Sequence, residues 1–197
     1  MKYSFYAAAM LLSLISCGNN DNIIDDPRPI DHEIRNFEFK SYAVKNTVLY
    51  TGSMGQKSSP DESYLKNYWS TYQEPAWKII SLDLKNNSIK LISGNSANIS
   101  YPIKIVNDSV LINDSSNKPN YLGDFNKNNA TFTLKRTFRY IKKAPRDHGA
   151  LFISQNTDFG ITQYENAFGT VFTYPSEMTE ANDTVLWSNI EYHYKSL

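Results

Sequence analysis

The sequence predicts a mostly β protein, built as an antiparallel up-and-down barrel with one short amphipathic helix. Apolar and polar residues alternate over short stretches rich in Thr, Phe, Tyr and Ile, as in strands that bury one face. Turns rich in Asn and Asp, such as Asn86-Asn87 and Asn107-Asp108, separate these stretches at close spacing. One segment carries a helical repeat of apolar residues instead. Many short strands so spaced form either a barrel or a β-sandwich, and the sandwich is the alternative fold.

The strands are predicted from the stretches in which this alternation holds. In chain order they cover residues 36–44, 76–84, 88–92, 101–106, 109–113, 120–125, 130–141, 159–164, 168–174 and 184–194. The clearest is 130–141, in which Phe132, Leu134, Phe138 and Tyr140 share one face opposite threonines and charged residues. This strand is expected to bury that face in the core.

The helix is predicted within residues 58–72. Ser59 can act as the N-cap, Pro60 suits the first helical position, and Glu62 completes a capping box. An apolar stripe follows at positions i, i+3, i+4 and i+7: Leu65, Tyr68, Trp69 and Tyr72. Such a helix either closes one end of a barrel or covers an open sheet edge.

The amino terminus carries an export signal over residues 1–16. Lys2 precedes an apolar stretch at 5–15, which is too short to cross a bilayer as a helix. The chain's single cysteine, Cys17, follows the small residue Ser16. The run Leu14-Ile15-Ser16-Cys17 resembles the lipobox of bacterial lipoproteins. The resemblance implies cleavage before Cys17 and fatty acyl chains, such as palmitate, on that cysteine. An ordinary secretory signal with a chance cysteine is the alternative.

The resemblance implies a lipoprotein of the bacterial cell envelope, held at the outer membrane by acylated Cys17. Residues 17–34 are rich in Asn, Asp and Pro, which suits a flexible tether. Residues 35–197 are long enough for one β domain. We find no later segment apolar enough to span a membrane as a helix.

The charge balance argues against nucleic acid as a partner. The chain has 20 basic and 20 acidic residues, and loss of residues 1–16 removes Lys2 as the one charged side chain. A near-neutral protein has no overall field to hold DNA or RNA. We therefore expect the partners to be the membrane, a small amphiphilic ligand or another envelope protein.

No catalytic motif or cofactor fingerprint is present, and we expect no catalytic residue, metal or cofactor. The three histidines, His32, His148 and His193, are too far apart in sequence for a metal-ligand pair. The stretch beginning at Asp124 and Asn126 starts like a calcium loop. It lacks the required glycine at its sixth position and glutamate at its twelfth, so a plain turn is expected.

Arg136 is the most informative polar residue, because alternation places it on the apolar side of its strand between Leu134 and Phe138. A buried guanidinium must be paired. It either holds the acidic group of a ligand bidentately, or serves the structure by pairing with a carboxylate such as Glu38 or Asp124 or by lying over a ring such as Trp77. A strand bulge would instead turn Arg136 outward.

A tryptophan at the start of a long strand and an arginine in a later strand resemble the lipocalin-like small lipoproteins of Gram-negative envelopes. Here these residues are Trp77, in PAWKIISLDL, and Arg136. The resemblance implies a barrel of about eight strands around an apolar pocket. No glycine precedes Trp77 at the usual position, and Arg136 lies in mid-domain, whereas the lipocalin arginine follows the last strand. The candidate ligand-binding residues are Arg136, Trp77, Phe132, Phe138 and Tyr140.

Two short runs, Asp108-Ser109-Val110 and Asp183-Thr184-Val185, resemble the acceptor for O-glycans in some Gram-negative envelopes. The resemblance makes Ser109 and Thr184 possible glycosylation sites. Each run also fits a turn that leads into a strand.

The function expected from these features is non-enzymatic binding of a small apolar or amphiphilic molecule in a lipid-anchored barrel. A second hypothesis is an envelope accessory module that docks another protein and has a filled core. A third is a hydrolase whose acidic residues meet only in the fold.

Overall fold

The computed structural model describes residues 34–94, 97–113, 118–160, 168–169 and 171–197, and strands dominate them. The strands are β1 Ile34–Thr51, β2 Gln56–Ser58, β3 Ile79–Asp83, β4 Ser88–Ile92, β5 Asn98–Val106, β6 Ser109–Asn113, β7 Pro119–Asn126, β8 Thr131–Lys143, β9 Phe152–Phe159 and β10 Thr184–Ser196. Two short 3₁₀ helices lie at Glu62–Asn67 and Pro175–Glu177. The signal segment, Cys17 and the tether up to residue 33 lie outside the described residues. Ile34, placed in the tether by sequence, begins β1.

Eight strands close into an antiparallel barrel, as predicted. The order is β1-β3-β4-β5-β6-β7-β8-β10, and β10 pairs with both β8 and β1. The last strand therefore joins the two ends of a meander, which rules out the alternative sandwich. Closure leaves the strands of the ring without a free edge where they pair.

Three strands of the ring are longer than the others. On one edge, β8 pairs with β7 over residues 131–134 and then with β9 over 136–143. Similarly, β1 pairs with β3 over 34–38 and with β2 over 49–51. The ring is thus complete at one end, and β1, β10 and β8 continue past it as a ribbon flanked by β2 and β9.

The interior of the complete end is filled by aromatic and aliphatic side chains. Phe37 packs against Phe125 and Phe132 with ring centroids 5.8 and 6.0 Å apart. Phe132 also meets Tyr194 edge to face at 6.5 Å. Phe37, Phe132 and Tyr194 are fully buried. Among the described residues, this end of the barrel is a packed hydrophobic core.

A second core covers the outer face of the ribbon. Val48, Tyr50 and Trp187 point there, and Phe168 and Phe172 pack on them from the chain that precedes β10. The alternation of β1 and β10 explains this arrangement, because neighbouring residues of a strand face opposite sides.

Asp183 holds the chain segment that carries Phe168 and Phe172 against the second core. Its buried carboxylate accepts hydrogen bonds from the backbone N–H groups of Ala144, Thr179 and Glu180 at 2.9, 3.0 and 3.1 Å. Arg146 donates to the same carboxylate and forms an ion pair with it. The charge is therefore buried but fully satisfied.

Both cores and the closed ring come from Glu33–Leu197, which is one compact unit. A unit with its own core and closed hydrogen bonding meets the criterion for a domain that folds alone. Among the described residues no helix is long and apolar enough to cross a bilayer.

The predicted helix is the first element that differs from the structure. It is a single 3₁₀ segment, Glu62–Asn67, and its N-cap is Asp61, whose carboxylate accepts from the Ser63 N–H at 2.8 Å; Ser59 is not the cap. Leu65 and Tyr72 are nevertheless buried as the stripe implied. A short helix followed by a turn buries these residues as well as a longer α-helix does.

Two predicted strands near the carboxyl end also differ. Strand β9, Phe152–Phe159, was not predicted. Most of its residues are exposed on both faces, so apolar and polar residues do not alternate along it. The strand expected at 159–164 overlaps it only at Phe159, and residues 161–164 lie outside the described part. The described residues of 168–174 form no strand, and Phe168 and Phe172 serve as the cover of the second core.

Candidate functional site

A pocket of about 510 Å³ lies on the inner face of the ribbon, beyond the filled end of the barrel. The segment 68–76 forms one side of it, and β8, β9 and β10 form the other. The described residues that line it are Tyr68, Trp69, Ser70, Thr71, Tyr72, Glu74, Pro75, Ala76, Leu134, Arg136, Phe138, Thr157 and Tyr192. This volume is in the range of small-molecule sites.

Hydrogen bonds from the barrel hold the covering segment 68–77. The Tyr192 hydroxyl donates to the Tyr72 carbonyl at 2.7 Å, and the Tyr194 hydroxyl donates to the Trp77 carbonyl at 2.7 Å. Gln155 of β9 donates to the Tyr68 carbonyl. The segment has little regular structure of its own, so these side chains satisfy carbonyls that a helix would have paired internally.

Aromatic contacts shape the wall where the segment meets the strands. Trp69 meets Phe138 edge to face, with centroids 5.2 Å apart. Tyr68 packs on Tyr140 at 4.4 Å, and Tyr72 meets the ring of Tyr42 at 5.9 Å. These contacts fix the ring planes, so the pocket has defined aromatic walls.

Arg136 reaches the pocket from β8. The pairing of β8 with β10 runs from Thr184 and Lys142 to Lys195 and Thr131 without a register shift, so no bulge turns Arg136 outward. Its Nε donates to the Asp158 carbonyl at 3.2 Å. Its Nη2 donates to the carbonyl and the hydroxyl of Thr157 at 3.1 and 2.8 Å.

The partners of Arg136 are neutral. The guanidinium carbon lies 4.6 Å from the centroid of the Phe159 ring, so Phe159 takes the place proposed for Trp77. The two carboxylates proposed from sequence are engaged elsewhere: Glu38 pairs with Lys40, and Asp124 with Lys135. Within the described ranges no carboxylate is within ion-pair distance of Arg136, and its Nη1 has no hydrogen-bond partner.

Burial affects the charge states around this arginine. It lowers the pKa of Arg136, because desolvation disfavours the cation, although a guanidinium stays protonated at neutral pH. Burial also raises the pKa values of Tyr192 and Tyr194 above the usual range. Both phenols are therefore neutral donors. Among the described lining residues on β8, β9 and β10, Arg136 is the one charged side chain, and the nearby Asp158 carboxylate favours its cationic form.

The structure separates the five ligand-binding candidates. Arg136 and Phe138 line the pocket. Phe132 is fully buried in the filled end, and Tyr140 packs on Tyr68 and is not among the described lining residues. Trp77 is partly buried beside the core and its Nε1 has no partner, and no arginine stacks on it within the described chain. The tryptophan–arginine contact that the lipocalin resemblance implies is thus absent from this part.

The other pocket residues were harder to predict. Trp69 and Tyr72 belong to the stripe that the sequence showed, but it indicated only burial. Tyr192 follows the alternation of β10. Thr157 could not be predicted from the sequence, because apolar and polar residues do not alternate along β9. It reaches the site because it pairs with Phe138 of β8.

The two proposed glycosylation sites lie at the starts of strands. Ser109 begins β6, with its hydroxyl 3.5 Å from the Asp124 carboxylate. Thr184 begins β10, next to the buried Asp183. Both positions fit the turn-to-strand interpretation, and modification of either remains a prediction.

The stretch that resembles a calcium loop is a turn between β7 and β8. Asn126 accepts from the Asn129 N–H at 2.9 Å, and Asp124 binds Lys135 at 2.9 Å and the Tyr121 hydroxyl at 2.6 Å. In the described part of the chain no three His, Cys, Asp or Glu side chains are grouped as a metal site.

The pocket is chemically suited to binding. Glu74 is the one carboxylate among its described lining residues, and it pairs with Lys78 at 2.7 Å. These residues therefore include no pair of carboxylates for acid and base catalysis. They offer an aromatic wall, several hydroxyls and one guanidinium, which suit an anion attached to an apolar body.

Comparisons of this chain with models of known protein families, with curated proteins and with solved structures gave no significant match.

Proposed function

We propose that this protein is a lipid-anchored envelope protein that binds a small anionic amphiphile in the pocket beside Arg136. The acidic group of the ligand would lie on the guanidinium, and its apolar body would lie against Trp69 and Phe138. The barrel supplies the rigid frame, and β8 carries both Arg136 and Phe138 into the pocket.

The observation that carries the proposal is that no carboxylate of the described residues lies within ion-pair distance of Arg136. The Asp158 carboxylate pairs with Arg139 and acts on Arg136 only from farther away. Arg136 is partly buried, so its guanidinium loses part of its hydration, and carbonyl oxygens and a ring do not fully compensate for that loss. An acidic ligand would supply the missing negative charge. The neutral partners would keep the group oriented when the ligand is absent.

The lipid anchor would determine where binding takes place. Two acyl chains give lasting attachment to a bilayer, so the mature domain would stay within reach of the membrane. A pocket for amphiphiles is useful there, because such molecules partition into membranes. The proposed ligand would therefore be exchanged near the lipid surface.

One observation favours the accessory-module hypothesis as a second candidate. Leu151, which precedes β9, is 50 % exposed, and Phe152 and Ile153, the first residues of β9, are 43 and 53 % exposed. β9 ends the hydrogen-bonded order of the sheet, so its outer edge carries no strand within the described chain. Exposed apolar residues on a free edge can receive a strand of another protein.

Paired fluorescent probes test the ligand hypothesis with residues 18–197, which contain the whole domain. One probe is 1-anilinonaphthalene-8-sulfonate, and the other is N-phenyl-1-naphthylamine, the same ring system without the sulfonate. Arg136→Leu should weaken binding of the anionic probe about tenfold or more, and should leave binding of the neutral probe within about twofold. Arg136→Lys should retain part of the preference for the anion.

Lys142→Leu is the matched control, since it removes a positive charge from the same strand outside the lining of the pocket. It should bind both probes like the unaltered domain. Far-ultraviolet circular dichroism verifies that every variant is folded. Equal loss of both probes with Arg136→Leu, or no loss of either, would refute a role for Arg136 in anion binding.

A further inference from the structure

The pocket also indicates the class of ligand, if the proposed function holds. We infer that it selects a compact aromatic acid over an acid with a flexible acyl chain. The ring would lie against Trp69 and Phe138, and the acid would bind Arg136 Nη1 and the Thr157 hydroxyl. Three features support this: the packed barrel interior next to the pocket, the aromatic walls of the pocket, and the few donors of Arg136 and Thr157 that remain for an anion.

The pocket borders the filled part of the barrel at Leu134. Leu134 forms part of the floor and is itself fully buried. Beyond it lie Phe132 and Phe37, with ring centroids 6.0 Å apart. An extended chain that points past Leu134 would have to enter this packed region, whereas a short, wide molecule would not. The packed barrel interior therefore disfavours a long chain.

The walls favour flat rings. Trp69 and Phe138 meet edge to face, and the Tyr72 ring meets the Tyr42 ring edge to face. Preoriented rings gain energy from an aromatic partner beyond the area that it buries. An acyl chain gains only from burial and loses rotational freedom when it is bound.

Few hydrogen-bond donors remain for the acidic group of a ligand. Nε and Nη2 of Arg136 already donate to Asp158 and Thr157, so the bidentate geometry expected from sequence is not open to a ligand. Nη1 has no partner among the residues described. The Thr157 hydroxyl accepts from Nη2 at 2.8 Å and keeps its own proton for donation. One carboxylate can accept from both groups.

The Tyr192 hydroxyl does not compete for the ligand, because its proton is given to the Tyr72 carbonyl at 2.7 Å. Ser70 and Thr71 lie on the covering segment, on the other side of the pocket. Arg136 and Thr157 therefore define where the charge of the ligand is placed, and Trp69 defines where its ring is placed.

Calorimetric titration of residues 18–197 with 1-naphthoate and with decanoate tests the inference, because the two acids are similar in size and charge. The domain should bind 1-naphthoate about tenfold more tightly than decanoate. Trp69→Leu should remove most of this preference, and Trp69→Phe should restore part of it. Thr157→Val should weaken both acids by a similar factor, while N-phenyl-1-naphthylamine should bind as before.

The outcomes distinguish this inference from the function on which it rests. If both acids bind equally and both depend on Arg136, the proposed function stands and the selectivity for aromatic acids is wrong. If neither acid binds, or if neither depends on Arg136, the proposed function itself is wrong. Thermal unfolding of Trp69→Leu, compared with Trp69→Phe, separates a loss of binding from a loss of folding.

Discussion

The guanidinium of Arg136 is oriented by hydrogen bonds within the protein, and its Nη1 still has no partner among the described residues. Its hydrogen bonds to the Asp158 carbonyl and to Thr157 fix the plane of the guanidinium. The Phe159 ring lies 4.6 Å from its carbon. These neutral groups hold the cation in place without neutralising it, which is the condition that an anion-binding residue requires. The same strand position with a carboxylate partner would serve the structure alone.

Asp183 is the opposite case, a buried charge whose partners are all within the protein. We predict that Asp183→Asn lowers the free energy of unfolding by about 2–4 kcal/mol, because Arg146 loses its buried carboxylate and three backbone donors lose a charged acceptor. Urea unfolding measures the change.

The control for Asp183→Asn is Glu180→Gln, which alters an exposed carboxylate 4.0 Å from the same arginine. It should change the free energy of unfolding by less than about 0.5 kcal/mol. Equal effects of the two substitutions would contradict the structural role given to Asp183.

The covering segment 68–77, which follows the 3₁₀ helix, is held by the hydroxyls of Tyr192 and Tyr194 on β10. We predict that Tyr192→Phe lowers the free energy of unfolding by about 0.5–1.5 kcal/mol, because the Tyr72 carbonyl loses its donor. The amide groups of residues 68–77 should then exchange with solvent faster. Hydrogen exchange measured by mass spectrometry tests this by comparing peptides from the segment with peptides from β3 and β4.

Tyr101→Phe is the matched control for Tyr192→Phe, since Tyr101 lies on β5 and its ring contact is with Phe159. It should leave exchange over 68–77 unchanged. Faster exchange throughout the barrel with Tyr192→Phe would show that its hydroxyl supports the whole fold and that its effect is not specific to the segment.

The elements differ in how far the sequence specifies them. β8 could be predicted because Phe132, Leu134 and Phe138 alternate with polar residues along a continuous register. β9 could not, because an exposed strand at the edge of a sheet has no apolar period. The stripe from Leu65 to Tyr72 predicted burial but not helix length, since it spans only two turns. A short 3₁₀ helix and a turn satisfy the same pattern.

The residues of the candidate site also differ in whether the sequence could predict them. Arg136 and Phe138 could be predicted, because both lie on the regular strand β8. Trp69 and Thr157 could not be assigned to the site, because only the tertiary fold brings the covering segment and β9 to β8. Sequence patterns report which face of an element is buried, and they do not report what that face meets.

At the scale of the whole molecule, the barrel divides into a filled end and an open pocket. The filled end supplies stability through its packed rings, and the ribbon of β1, β8 and β10 carries the site beyond it. A function in ligand binding therefore does not require the barrel interior to be hollow. It requires only that the covering segment 68–77 leave space above Leu134.

The proposed anchor gives a prediction for the chain that includes residues 1–33. Cys17→Ala removes the thiol that would receive lipid, so the protein should move from the membrane fraction to the soluble fraction of its own host. Immunoblotting of the two fractions measures this, and Ser13→Ala in the same apolar stretch is the control. Retention of the Cys17→Ala protein in membranes would contradict lipidation.

The central claim is that Arg136 holds an anionic ligand in the pocket. Native mass spectrometry of the domain, residues 18–197, expressed in its own host tests it most directly. The account predicts a co-purifying small acid that is present on the unaltered domain and on Lys142→Leu but missing from Arg136→Leu. A folded domain that emerges without a ligand, or a ligand that remains on Arg136→Leu, would contradict it.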